Sequence, residues 1–298
     1  MDGFTGEKRP IGAYLSDTSI ASFTIPEYQR PYAWTENQCQ RLWDDLCDFA
    51  FPGGNPDNFN SREQFFLGAI VVCESEGHPG SLDVIDGQQR IATLMLLLRA
   101  IYETFRSDTS DAAREIAKNC ARCIWQSDRI SMLPLVGGAL RLENLVATDE
   151  SKAVFAAIMN NGTPPETVPT SNYSRNYIFF KERFDDLLLL RRGWHTTLIS
   201  TILQNCIVLP IKTGSMDSAL RIFNTLNDRG LPLSDADIFK SVLYAHYSSK
   251  GKTEWFMDAW REIEDNGHRA FPRAKSPATE IFTQFMHCLR AADGVSDN

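Results

Sequence analysis

The sequence predicts an α+β fold: a small mixed β-sheet core, a large helical insertion within it, and helices at the C-terminal end. Three observations carry this expectation. Apolar, β-branched runs cluster at 19–25, 65–86 and 206–211. A mostly helical block separates the second cluster from the third. The chain after 211 repeats its apolar residues at helical spacing. The expected division is a core of 10–107 plus 205–250, an insertion of 108–204, and a C-terminal helical segment of 251–298.

The elements follow in order. Residues 19–25 alternate in polarity and end at Pro26, which reads as a strand. Thr35 is a helix N-cap type, followed by Leu42, Trp43, Leu46 and Phe49 at helical spacing. Residues 51–58, rich in Pro, Gly and Asn, form a loop. Phe65–Cys73 reads as a buried strand, Gly77–Gly80 as a turn, and Leu82–Ile85 as a second strand pairing with the first as a hairpin. After Gly87 the period changes. Ile91, Leu94, Leu97, Leu98, Ile101 and Phe105 recur at three and four, one face of an amphipathic helix.

A helix is expected over 111–126, then two short strands within 130–142 around Gly137 and Gly138. Thr148 is placed as the cap of another helix, with Asp149 and Glu150 near its positive end. Residues 161–170 are a Pro-containing loop. Helices follow at 171–191 and 194–204, then a strand over Cys206–Ile211. Two further helices, 216–227 and 235–248, flank a tip at Asn227–Gly230, with Gly230 ending the first and Ser234 capping the second. The last stretch, 252–290, is helical with a break at Phe271–Pro272.

Composition narrows the function. The 298 residues are 43% hydrophobic and 23% charged, with a formal net charge of −8. A chain this acidic is not built to coat nucleic acid by charge, although a local basic cleft is compatible with it. Seven cysteines, odd in number and scattered, do not form a disulfide framework. The one close pair, Cys120 and Cys123, lacks a second pair or nearby histidines and reads as helix-borne interior thiols. No signal peptide opens the sequence, and the longest apolar stretch, Ile91–Ile101, is too short to span a bilayer. A cytoplasmic protein is expected.

The chemistry concentrates at Asp86–Arg90. A strand delivers the chain to Asp86, Gly87 permits a tight turn, and a helix begins at once. Free N–H groups at a helix start attract anions. Arg90 in the first turn can grip a phosphate with two hydrogen bonds. Gln88 and Gln89 add neutral donors and acceptors. Asp86 can hold a divalent metal, orient water, or cap the helix, and Asp-Gly before a helix is also a common structural turn. A second segment, Ile25–Trp34, holds Tyr28, Gln29, Arg30, Tyr32 and Trp34 in one loop. Its aromatics can stack on bases or simply fill core. A third, Phe223–Lys240, carries Asn227 and Arg229 at its tip.

Together these segments resemble the N-terminal domain of GmrSD-type, modification-dependent restriction enzymes. That family reads I-P-x-Y-Q-R-x-Y-x-W, then F-L-G-x-I-V near D-G-Q-Q-R-x-x-T-L, then F-x-x-L-N-x-R-G-x-x-L-x-x-x-D-x-x-K. The present sequence carries these at 25–34, 66–71, 86–94 and 223–240. The resemblance implies a ParB/sulfiredoxin-like core and nucleoside triphosphate hydrolysis tied to sensing modified DNA. It implies catalytic roles for Asp86, Gln89 and Arg90, with Asp86 as the metal ligand for a divalent cation such as Mg²⁺. Tyr28, Gln29, Arg30, Gly87, Gln88, Thr93, Asn227 and Arg229 become nucleotide-binding candidates. Relatives often continue into a C-terminal HNH nuclease. No His-Asn-His constellation is present before Asn298, so a nuclease is expected as a separate partner or as a missing part.

Two other readings remain open. Arg191–His195 and His268–Lys275 are basic, aromatic-bearing stretches that would suit a DNA-recognition or partner-binding module without chemistry. Asp149, Glu150 and Lys152 superficially resemble a metal-nuclease element, but they sit at an expected helix start rather than on a core strand.

Overall fold

The computed structural model describes residues 5–75, 78–128, 130–147, 149–165, 171–191, 193–227, 235–274 and 276–292. Its organising element is the long strand predicted from the apolar run. Phe65–Glu74, here β4, lies in mid-sheet because both its faces are apolar: Ile70 and Val72 face one core, Val71 and Cys73 another. The preceding elements are β1 (Thr5–Gly6), β2 (Arg9–Pro10), α1 (Ile11–Leu15), β3 (Phe23–Ile25) and α2 (Glu36–Ala50). After it come β5 (Leu82–Asp86), α3 (Gln88–Phe105), α4 (Asp111–Ile124), β6 (Leu142–Asn144), α5 (Lys152–Asn161), α6 (Asn172–Leu190) and α7 (Trp194–Ser200). The chain closes with β7 (Cys206–Thr213), α8 (Met216–Asn227), α9 (Asp235–Ser248), α10 (Thr253–Ala270) and α11 (Pro277–Ala292).

Among the described residues the strands form one mixed sheet in the order β1-β7-β4-β5-β3-β6, with β2 also on β7. β4 runs parallel to β7 and antiparallel to β5, so the expected hairpin is present, with a bulge between Val71 and Val72. β3 lies parallel to both β5 and β6. The protein is thus α+β, with helices on both faces of the sheet. On one face α3 is buried all round from Ile91 to Ile101 instead of along the single apolar face expected, with Arg99 accommodated by the Met159 carbonyl and Glu103. On the other face α8 to α11 supply Ala219, Leu220, Ala236, Phe256, Met257, Trp260 and Ala278, in one cluster with Val71, Cys73 and Ile85.

Several expectations change. The strand at 19–25 shortens to Phe23–Ile25 because the Asp17 carboxylate accepts from both the N–H and the hydroxyl of Ser19, bending the chain into a turn. The two strands within 130–142 are replaced by turns. Asp128 Oδ1 accepts from the N–H groups of Ile130 and Ser131, and only isolated bridges, Trp125 with Leu140 and Ser127 with Pro134, remain. β6 forms instead and joins β3, so a strand within 108–204 extends the sheet. The helix expected to 204 is α-helical to Ser200 and then a π-turn over Thr201–Asn205. Thr148 lies outside the described residues, and α5 starts only at Lys152. Residues 228–234, including Gly230 and Ser234, also lie outside them.

Candidate functional site

Gly87 sets the geometry of the segment. Its φ is 88°, left-handed, and it is the N-cap of α3. A Cβ there would stand 3.1 Å from Ile70 Cγ1 and 3.3 Å from the Ala69 carbonyl oxygen. The chain therefore turns tightly from β5 into α3 with the helix N-terminus against mid-β4. Asp86 ends β5 opposite Val71. Burial raises its pKa, opposed by the Gly87 N–H and by the charges of Arg90 and Arg30. Asp86 thus lies under the influence of both arginines, although no ion pair joins it to either among the described residues.

Arg90 and the two glutamines diverge. Arg90 donates through Nη1 to the Ala69 carbonyl at 2.9 Å. Its guanidinium lies over Gly68, where an added Cβ would come within 2.8 Å of Cζ. Burial lowers its pKa and Asp86 opposes that shift; the group stays charged. Gln89 turns to the Ile25–Trp34 loop. Its Oε1 accepts from the N–H of Ala33 at 2.7 Å and of Trp34 at 3.3 Å, and its Nε2 donates to the Pro31 carbonyl at 3.1 Å. Gln89 is therefore a brace that fixes the loop's backbone.

Gln88 differs. Its Nε2 donates weakly to the Arg30 carbonyl at 3.5 Å. Its Oε1 is buried and has no partner, and neither does Arg30 Nε. Only six buried side-chain polar atoms among the described residues lack a partner, and these two face one crevice. That crevice, too tight as it stands to admit a water molecule, is lined by Ile25, Arg30, Tyr32, Gln88, Gln89, Ala92, Asn144, Val146 and Tyr173. Unpaired buried groups cost about 1–3 kcal/mol each and are uncommon in folded proteins.

The remaining candidates take supporting positions. Thr93 is wholly buried, accepting from the Tyr32 hydroxyl at 2.7 Å and donating its one proton to the Gln89 carbonyl at 2.8 Å. Gln29 Nε2 donates to the Ile85 carbonyl at 3.2 Å. Tyr28 lies in the core on the far face of the sheet, its ring 4.3 Å from that of Tyr244 and its hydroxyl on Met216 Sδ. Asn227 is the last residue of α8; Arg229 lies outside the described residues.

Three residues of the 108–204 block join this site without having been singled out. Asn144 and Tyr173 line the crevice, and Tyr173 stacks on Tyr32 at 4.3 Å and 11°. Asn176 Nδ2 donates to Tyr32 Oη at 2.9 Å and to the Trp34 carbonyl at 2.8 Å. A readable signal existed only for Asn176, a polar residue inside the apolar stripe Tyr173, Tyr177, Phe180, Phe184 of α6. Asp149 is consumed structurally: Asn144, Tyr173 and Ser151 all donate to its carboxylate. Of the Arg191–His195 stretch, Arg191 and Trp194 line a different groove, about 510 Å³, where Arg191 lies 4.3 Å over the Trp194 ring.

None of the seven cysteines forms a disulfide among the described residues. Burial pushes Cys120 well above the usual thiol range and Cys123 up to about 12. Among the described residues no group of three His, Cys, Asp or Glu side chains converges as a metal site. No helix among them is long and apolar enough to cross a membrane.

The fold and this turn define an α+β protein with a strand–turn–helix site closed by an internal helical block. The family profile of the GmrSD restriction endonuclease N-terminal domain matches residues 11–244, and the chain belongs to that family. It is therefore a restriction-system protein. No curated protein matches the chain.

Proposed function

We propose that this chain is the nucleotide-binding, nucleoside triphosphate-hydrolysing module of a modification-dependent restriction or phage-defence system, with a ParB/sulfiredoxin-like core acting in the cytoplasm. The observation that carries this reading is the pair of unpartnered buried groups, Arg30 Nε and Gln88 Oε1, beside the N-terminus of α3. Phosphates would lie on the N–H groups of that helix start, next to the tight Gly87 turn. Arg90, fixed by the Ala69 carbonyl, supplies positive charge where negative charge develops during phosphoryl transfer. Gln89 holds the Arg30–Trp34 backbone in register with the helix.

A divalent cation such as Mg²⁺ usually arrives bound to phosphates and takes only one or two protein carboxylates. Asp86, the single carboxylate of the segment, fits that requirement and would be its protein ligand. When bound, the cation would neutralise phosphate charge. The crevice as it stands does not admit even a water molecule, against roughly 300–1,000 Å³ for typical ligand sites. Nucleotide entry therefore requires the Ile25–Trp34 loop to move away from Tyr173. A nuclease, separate or carried elsewhere, would act on the modified DNA.

The test is hydrolysis of nucleoside triphosphates with Mg²⁺, with and without DNA, by the protein and by Asp86→Ala and Arg90→Ala. Both variants are expected to lose at least about 100-fold in kcat. If the unaltered protein neither turns over nor gains thermal stability with nucleotide, the hydrolase reading fails. The Arg191–Trp194 groove then becomes the better starting point for a DNA- or partner-binding module.

A further inference from the structure

The groove that holds Arg191 and Trp194 is lined by no residue of the Asp86–Arg90 turn or of the Ile25–Trp34 loop. Its volume, about 510 Å³, lies within the usual range for ligand sites. The second half of α2, the loop after it, the end of α6 and the start of α7 build it. Trp43, Phe51, Leu187, Leu190 and Trp194 give it apolar walls. Leu190 is 80% exposed, so those walls are open to solvent. Gly53 and Gly54 leave one side without side chains, and a Cβ added at Gly54 would meet nothing within 4 Å.

Four charged side chains complete the lining, and they differ in what they have left to offer. Arg183 donates through Nη2 to Gln40 Oε1 at 3.0 Å, with its guanidinium 5.3 Å over the Phe179 ring. Arg191 lies on the Trp194 ring. Asp48 and Asp186 are exposed, and neither carboxylate enters an ion pair or hydrogen bond among the described residues. Within 40–48 and 181–190 the same two helices add exposed Asp44, Asp45 and Glu182 against Arg41, once the Lys181–Asp185 pair is set aside. Phosphates are repelled by such a rim, so nucleic acid is a poor occupant despite the arginines. A cation carried beside an apolar group suits it. The negative face of an indole attracts cations, and Arg191 already uses that face from within the chain.

We propose that this groove docks a basic segment of a partner protein. An arginine or lysine of the partner displaces Arg191 from the Trp194 ring and shares its charge with Asp48 and Asp186, while a neighbouring apolar side chain enters against Leu187 and Leu190. Arg191 is then an internal stand-in that covers the ring until the partner arrives. The proposal is independent of the nucleotide reading.

The experiment is titration of the whole chain, followed by its N–H NMR spectrum, with a capped peptide in which leucine alternates with arginine. The comparison ligands are the same peptide with glycine for leucine, the same peptide with glutamate for arginine, and a single-stranded oligonucleotide of mixed sequence. The Trp194 indole N–H signal, identified by its loss in Trp194→Leu, should shift with the leucine–arginine peptide and far less with the other three. Arg191→Gln should bind that peptide about two- to fivefold more tightly, because one exposed cation–π contact no longer competes. Asp48→Asn combined with Asp186→Asn should bind it about fivefold more weakly, the worth of two exposed ion pairs. A nucleic-acid groove gives the opposite sign, with oligonucleotide binding that Arg191→Gln weakens. Unspecific attraction to an acidic chain leaves the Trp194 signal in place and the glycine peptide as good a ligand as the leucine one. Either of these results, or no shift of Trp194 with the leucine–arginine peptide, overturns the proposal.

Discussion

At the scale of single residues, Asp86 carries opposing demands. Its carboxyl is buried, and burial raises its pKa above that of an unfolded chain. The folded protein therefore holds this proton more tightly than the unfolded one. The stability linked to it is fully present below the unfolded pKa and is lost as pH rises through the folded one. Asp86→Asn should accordingly raise Tm near neutral pH and change it far less at about pH 4, while abolishing hydrolysis. Thermal melts across that range, set beside turnover assays, check this; an equal Tm change at both ends would contradict it. Turnover by the unaltered protein should also fall as pH drops through the raised pKa, because the cation needs the carboxylate. The sequence placed Asp86 at the end of a strand just before a helix start, but did not disclose its burial. Burial depends on β4 and the 25–34 loop arriving from elsewhere in the chain.

At the scale of elements, β4 and the β5–α3 turn act together. Gly68 has φ 122°, a conformation L side chains rarely adopt, and the Arg90 guanidinium fills the space its side chain would take. Gly68→Ala would add strain of about 1–3 kcal/mol and push Arg90 off the Ala69 carbonyl. Since an ångström of misplacement can cost on the order of 100-fold, kcat should fall by about that factor while KM changes little. Arg90→Lys in the same background should then cost little more; a full additional loss would show that Gly68 and Arg90 act independently. These elements were legible because their signals are local: an apolar β-branched run, a turn, and an apolar helix period after Gly87. The two-residue strands β1 and β2 lie below any period, and the 130–142 stretch follows the local hydrogen bonding of Asp128 instead of its apolar content.

At the scale of the molecule, the helical block is welded to the sheet rather than appended to it. Arg141 donates to the carbonyls of Leu15, Asp17 and Ile20, tying the start of β6 to the chain entering β3. Asn176 begins a second connection: it donates to Tyr32, Tyr32 bonds Thr93, and Thr93 donates to the Gln89 carbonyl in the first turn of α3. Apart from the polar Asn176 within the apolar stripe of α6, this was not readable from spacing, because every link except Thr93–Gln89 joins residues far apart in the chain. Asn176→Ala should leave Tyr32 and the Trp34 carbonyl short of a donor, at about 1–3 kcal/mol for each group stranded in the interior. For a chain of this size that is a fall of several degrees in Tm. The more telling readout is amide hydrogen exchange with and without nucleoside triphosphate. If the loop opens to admit nucleotide and closes through this chain of bonds, nucleotide should slow exchange in both Ile25–Trp34 and the first turns of α6. In Asn176→Ala the protection should persist in the loop and vanish from α6. Equal protection of α6 in both proteins would mean that the helical block senses the nucleotide by another route, with Tyr173 stacked on Tyr32 the remaining physical link.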